Sequence, residues 1–229
     1  PRLELFSGST RLAENDNWGT AVGTATLATA ATFSSVGAFQ LTAGSLDAAL
    51  VATLAPGGYT AQVSGVGGGT GVALVEVYEV GALGARLTNI STRAQVGTGG
   101  NILIPGLVIS PGTGTRRLLI RAAGPALTPL GVTGVLANPT MVVTNAAGAT
   151  VARNDNWSTP LDTGAATAAA LSTAFSHVGA FPYASGTSND AAIFNAAMPA
   201  GAYTIQVRGV DGATGTVIAE LYDATPTIA

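Results

Sequence analysis

Oxygen-bearing side chains recur at matched places in this chain, and they are the first residues to weigh for chemistry. The tetrapeptide Asn-Asp-Asn-Trp stands at Asn15–Trp18 and again at Asn154–Trp157. Asn15, Asp16 and Asn17, with Asp47 folded nearby, offer hard oxygen ligands of the kind Ca2+ takes. Asn154, Asp155, Asn156 and Asp190 offer a second set. The same residue types also close turns, because an Asx side chain bonds backbone groups a few positions on. One or two carboxylates per set is thin charge for calcium. The turn reading is therefore preferred, with Trp18 and Trp157 expected to plug the ends of the fold.

Other chemistry finds little to work with. His177 is the one histidine and there is no cysteine, which removes thiolate metal sites, disulfides and cysteine nucleophiles. Neither a G-x-S-x-G elbow nor an H-E-x-x-H pair is present. The glycine-rich stretch Gly65–Gly71 reads as a turn, since it lacks the strand–loop–helix setting of a phosphate loop. No catalytic or cofactor-binding residues are predicted, and the chain is read as no enzyme.

All nine cations are arginine, and five of them (Arg86, Arg93, Arg116, Arg117 and Arg121) fall within 86–138. That stretch contains no acid, and no Phe, Trp or Tyr on which a base could stack. With a net charge of −3 for the whole chain, nucleic acid is not an expected partner. Charge complementarity within an assembly is the better account. Arg116 and Arg117 are adjacent on an expected strand, so their side chains take opposite faces.

The arginines mark the middle of an internal repeat. Tyr59–Tyr78 reads YTAQVSGVGGGTGVALVEVY and Tyr203–Tyr222 reads YTIQVRGVDGATGTVIAELY, with 11 of 20 positions identical. Val-Gly-Ala-Phe at Val36–Phe39 returns at Val178–Phe181, and Asp-Ala-Ala at Asp47–Ala49 returns at Asp190–Ala192. His177 has Ser35 as its counterpart, so the repeat does not require it. Self-similarity of this kind outranks any local motif as a guide to architecture. It divides the chain into a first copy (1–85), a basic middle module (86–138) and a second copy (139–229). Each copy sets two arginines against six carboxylates, a charge of −4, while the middle carries +5.

Within the copies the periodicity is that of strands. Tyr203, Ile205 and Val207 alternate with Thr204, Gln206 and Arg208, and Val217, Ala219 and Leu221 alternate with Ile218, Glu220 and Tyr222. A hairpin joined through Val210–Gly215 is expected there. Further hairpins are expected at Arg2–Ser7 with Thr10–Asn15, and at Thr140–Asn145 with Ala149–Asn154, plus a strand at Asp47–Leu54. The middle reads as three strands, Leu87–Val96, Ile102–Ser110 and Arg116–Ala122. A short helix is expected over Asp162–Ser176, capped by Asp162, with a counterpart near Ala21–Thr32. The fold class is all-β: two homologous antiparallel β-sandwich modules, a three-stranded middle module and short helices.

The pattern P-G-G-Y-T-x-x-V-x-G…T-G-x-x-x-x-E-V-Y, at Pro56–Tyr78, resembles the closing hairpin of pre-peptidase C-terminal-type β-sandwich modules. It is also similar to the tandem repeats of large secreted bacterial surface proteins. The resemblance implies that a unit like 86–138 precedes each unit like 139–229, so that one full repeat is 86–229 and residues 1–85 lack their companion.

Composition agrees with a structural role. Charged residues are 9% of the chain, against roughly 25% in an ordinary soluble domain, and the closing segment of the first copy is apolar on both faces (Ala73, Val75, Val77; Val72, Leu74, Tyr78). No apolar run approaches the roughly 20 residues of a membrane span. Pro1 is read as a processed start, and the tail Thr225–Ala229 as an added edge strand. The expectation is an extracellular or cell-surface structural protein, a bacterial one by the resemblance, whose modules self-associate head to tail into a filament or layer. The alternative is a Ca-dependent adhesive or carbohydrate-binding module of a secreted protein.

Overall fold

Alternating apolar residues around a Ser-Gly turn build the first hairpin of the computed structural model, which describes residues 1–20, 22, 26–81, 86–112, 114–184 and 186–225. The chain forms two compact units, Pro1–Arg86 and Leu87–Ala229. In unit 1, β1 (Arg2–Ser7) and β2 (Thr10–Asn15) pair as expected, and β3 (Thr60–Ser64) pairs with the other side of β1, giving the order β2-β1-β3. Gly8 takes the left-handed turn at φ 56 that a side chain would resist. Of the helix expected near Ala21–Thr32, residues 21 and 23–25 lie outside the described residues; α1 (Ala30–Val36) starts later, follows a capping box between Thr29 and Thr32 and ends at Gly37.

Two further segments of unit 1 depart from expectation. The strand expected over Asp47–Leu54 does not form, and only an isolated bridge joins Thr26 to Val51. Residues 70–80, the expected closing strand, take no strand conformation and lie exposed. The reason is visible in unit 2, where the same repeat is complete.

Unit 2 is a sandwich of two antiparallel sheets. Its strands are β4 (Asn89–Val96), β5 (Gly106–Ile109), β6 (Arg116–Ala123), β7 (Pro139–Asn145) and β8 (Thr150–Asn154), then β9 (Ala191–Met198), β10 (Gly201–Gly209) and β11 (Gly215–Asp223). One sheet has the order β5-β10-β7-β8 and the other β4-β11-β6-β9. Met141, Val143, Ile205, Val207, Ile120 and Val217 meet between them in the core. The outer face of the second sheet is covered in turn. Leu119 and Ala123 of β6 pack with Trp157, Tyr183 and the buried side of α2 (Ala168–Val178), through Leu171, Ala174 and Phe175. This second apolar layer explains why the closing strand is apolar on both faces.

Three details correct the expected elements. First, β10 and β11 are not a hairpin, because they belong to different sheets and the chain arches from one to the other through Val210–Gly212. The arch is tight: a Cβ on Gly209 would stand 2.0 Å from the Ala213 carbonyl oxygen. Second, the helix starts at Ala168 with Thr167 as its cap, while Asp162 instead accepts bonds from the Arg153 backbone N–H (2.7 Å) and its Nε (2.8 Å). Third, Pro105 cuts the expected Ile102–Ser110 strand back to β5, since proline has no N–H for the ladder.

The basic middle segment forms its three strands, but they are distributed over both sheets of unit 2. β5 pairs with β10, β4 with β11, and β6 lies between β11 and β9. Residues 86–138 therefore complete the sandwich of 139–229 and do not stand as a sheet of their own. Of the C-terminal tail, residues 226–229 lie outside the described residues.

Candidate functional site

The Asn-Asp-Asn-Trp motif does the same structural work in both units. Asn15 is buried; its Nδ2 donates to the carbonyls of Asn17 (3.2 Å) and Thr20 (2.9 Å), and its Oδ1 accepts from the Ala49 N–H (3.1 Å). Asn154 repeats this with Asn156, Thr159 and Ala192. The Trp18 and Trp157 backbone N–H groups donate to the carbonyls of Asp47 and Asp190, each at 2.8 Å. Each motif thus clips its turn to the segment that begins Asp-Ala-Ala. Asp16 accepts from Asn17 Nδ2 (2.9 Å), Asp16, Asn17, Asp155 and Asn156 are half-buried on the turn, and the two Asn side-chain oxygens are committed to backbone donors. Among the described residues no group of three His, Asp or Glu side chains converges on a metal position.

The aspartates diverge between the units. Asp190 is buried, and its carboxylate accepts from the backbone N–H of Gly124 (2.7 Å) and of Ala126 (3.2 Å), as well as from Ser188 Oγ. It caps the turn of Pro125–Leu130 that follows β6. Gly124 is required there, because a Cβ would lie 2.0 Å from the Leu136 carbonyl oxygen. In unit 1 Asp47 accepts from Ser45 Oγ (2.7 Å), the counterpart of Ser188, and is exposed.

A single charged group organises the outer layer of unit 2. Arg121 on β6 has no solvent exposure, and its Nε lies 2.9 Å from Glu220 Oε2 on the neighbouring β11. The approach is an ion pair whose angle is too bent for a hydrogen bond. Nη1 donates to the Phe181 carbonyl at 2.6 Å. The guanidinium carbon also sits 4.6, 4.3 and 4.3 Å from the ring centres of Phe175, Phe181 and Tyr183, an arrangement in which ring quadrupoles face a desolvated cation. Tyr222 donates to Glu220 Oε1 at 2.8 Å. Burial, reinforced by the Glu220 carboxylate, raises the Tyr222 hydroxyl above its ordinary pKa, and burial also raises that of Tyr183 well above its ordinary value. Arg121 thus ties 86–138 to 139–229.

Unit 1 holds the matching half of this lock without the arginine. Glu76 and Tyr78 stand at the places of Glu220 and Tyr222, and Tyr78 donates to Glu76 at 3.0 Å. Phe33 and Phe39 stand at the places of Phe175 and Phe181, with Leu41 at that of Tyr183. Phe39 is exposed, as are Val72 (94%), Leu74 (73%), Val75, Val77 and Val80. The repeat forms β9 and β11 where β6 lies between them; in unit 1, where no β6 counterpart is present among the described residues, neither matching segment forms a strand, and the one matching β9 keeps only the isolated Thr26–Val51 bridge. Arg121 was visible in the sequence only as one of five clustered cations. The signal for it was a glutamate kept beside a tyrosine at the same place in both copies, on a strand otherwise apolar.

Elsewhere, His177 sits in the last turn of α2 and lines an open cleft of about 300 Å³ with Arg117, Ala170, Thr173, Ala174, Phe194 and Ala224, which contains no carboxylate. No protein-family model matches the chain, and no curated protein matches its sequence.

Proposed function

We propose that this is an extracellular structural protein, without catalytic activity, whose modules associate head to tail into a filament or surface layer. One observation carries the reading: the same repeat is a finished sandwich in unit 2 and an open one in unit 1, where the closing segment 70–80 leaves apolar side chains and strand edges uncovered. An open edge of this kind is a template for another chain. Because unit 1 and unit 2 differ, a contact between the open end of one subunit and the 139–229 end of the next is heterologous. Unless its rotation closes a ring, it propagates. The low charge of the surface removes the repulsion that keeps ordinary domains apart.

Electron microscopy of the purified chain tests this. Regular filaments or sheets are expected, and removal of residues 1–86 should leave unit 2 as a monomer. Monodisperse particles of the full chain, or unchanged filaments from residues 87–229 alone, would overturn it.

A further inference from the structure

We infer that unit 1 is a strand acceptor whose fitting ligand is a basic polypeptide segment of the 86–138 type, entering as a β6-like strand with an arginine opposite Glu76 and a Gly-Pro-Ala turn on Asp47. This rests on the reading of unit 1 as an open interaction face, and goes beyond it by naming the chemistry of what closes that face.

The template is unit 2. There one strand supplies everything that unit 1 lacks. β6 hydrogen-bonds to β11 on one side and β9 on the other, so its insertion would order 71–79 and 47–54 together. Its arginine meets Glu220, and three residues later Gly124, Pro125 and Ala126 bring two N–H groups to Asp190. Unit 1 keeps each acceptor. Glu76 is bonded by Tyr78 and Asp47 by Ser45, the same two local partners that Glu220 and Asp190 have in unit 2. What differs is the absence of the incoming arginine and the incoming backbone. Phe33 and Phe39 remain to flank the cation. Charge agrees, since a segment of +5 would meet a first copy (1–85) of −4.

The ligand is one more segment than residues 1–229 hold. Each chain has one such segment for two acceptors, so exchange between copies moves the vacancy without filling it. The two units share a register: Leu3 opposite Val63 matches Met141 opposite Val207, which sets Pro1 at the place of Pro139. A donor fused directly before Pro1 reproduces the Asn138–Pro139 junction.

The test adds a labelled peptide of residues 86–138 to the full chain. Expected are saturable one-to-one binding, slowed hydrogen exchange over 70–80, and loss of any filaments that use this face. Glu76→Lys in the chain, or Arg121→Gln in the peptide, should weaken binding by roughly a hundredfold, as for a buried pair deprived of one partner. Binding weakened by Arg121→Gln but indifferent to Glu76→Lys would mean that the peptide had entered unit 2 by displacing its own strands; that result, or indifference to both substitutions, would overturn the assignment. Should the peptide fail to stay in solution, the fusion of 86–138 ahead of Pro1 answers instead: 70–80 must become protected, and unprotected exchange overturns the proposal. Capture without filaments would sink the head-to-tail reading and keep this one; filaments without capture would do the reverse.

Discussion

Replacing Arg121 by methionine probes the joint between the basic segment and the second repeat copy. The side chain is wholly buried, and Glu220, its partner, is 5% exposed. Methionine keeps much of the apolar stem and removes the charge, so Glu220 is left buried without a counter-ion. Breaking a buried pair in this way costs about 3–5 kcal/mol, and loss of the cation from its three rings adds up to about 2 kcal/mol. We expect a total near 4 kcal/mol, because bonds from Tyr222 still partly satisfy the carboxylate. Pairing Arg121→Met with Glu220→Leu removes both charges and should recover most of the loss, to within about 2 kcal/mol of the unaltered chain. The repeat supplies its own control: Glu76→Leu, at the same place in unit 1, should change stability by under about 0.5 kcal/mol. The assay is urea unfolding, followed for unit 2 by Trp157 fluorescence in a Trp18→Phe background and for Glu76→Leu in unit 1 by Trp18 fluorescence in a Trp157→Phe background. A loss below about 1 kcal/mol for Arg121→Met, or equal effects of the Glu76 and Glu220 substitutions, would refute the lock.

Gly124→Ala should destabilise unit 2 by at least about 2 kcal/mol in the same assay, because its Cβ would fall 2.0 Å from the Leu136 oxygen. Asn154→Ala removes three bonds to backbone groups and should cost about 2–4 kcal/mol, with Asn15→Ala lowering the stability of unit 1 in a Trp157→Phe background. In unit 1 the Arg2 hydrogen bond, together with attraction from Arg11 and against burial, holds the Glu14 carboxyl below its ordinary pKa. Its contribution is present above the ordinary carboxylate range and lost as pH falls through the lowered value, so acid should weaken the hairpin, and Glu14→Gln should flatten that dependence in an acid melt followed by Trp18. Excess chelator should leave the melting temperature unchanged; a calcium-dependent rise abolished by Asp16→Ala would instead make the Asn-Asp-Asn-Trp turn a metal site.

Much of the fold was legible because alternation and turn chemistry are local. The hairpins at Arg2–Asn15 and Pro139–Asn154, and the three strands of the middle segment, follow from period-two patterning and Gly or Asx turns. What was not legible depends on partners distant in sequence. Asp47–Leu54 and 71–79 carry strand patterns as good as those of β9 and β11, yet only the latter pair, because β6 lies between them. A pattern states which face is apolar; it does not supply the neighbouring strand. The arch between β10 and β11 reads as a hairpin in the sequence for a related reason, since a Gly-rich turn between two alternating runs has the same local signature whether or not the chain changes sheets. The turn role of Asn15 and Asn154 was readable from residue type alone, whereas the cage around Arg121 draws on β11, α2 and the loop that carries Phe181 and Tyr183, and had no contiguous signature.

Hydrogen exchange of residues 70–80, in the assembled protein and in dilute solution, tests the central claim most directly. If unit 1 is the open end through which subunits join, this segment exchanges rapidly when the chain is dispersed and becomes protected on assembly, while β10 and β11 stay protected in both states. Equal, rapid exchange of 70–80 in both states would show that assembly leaves the open face uncovered and would contradict the account.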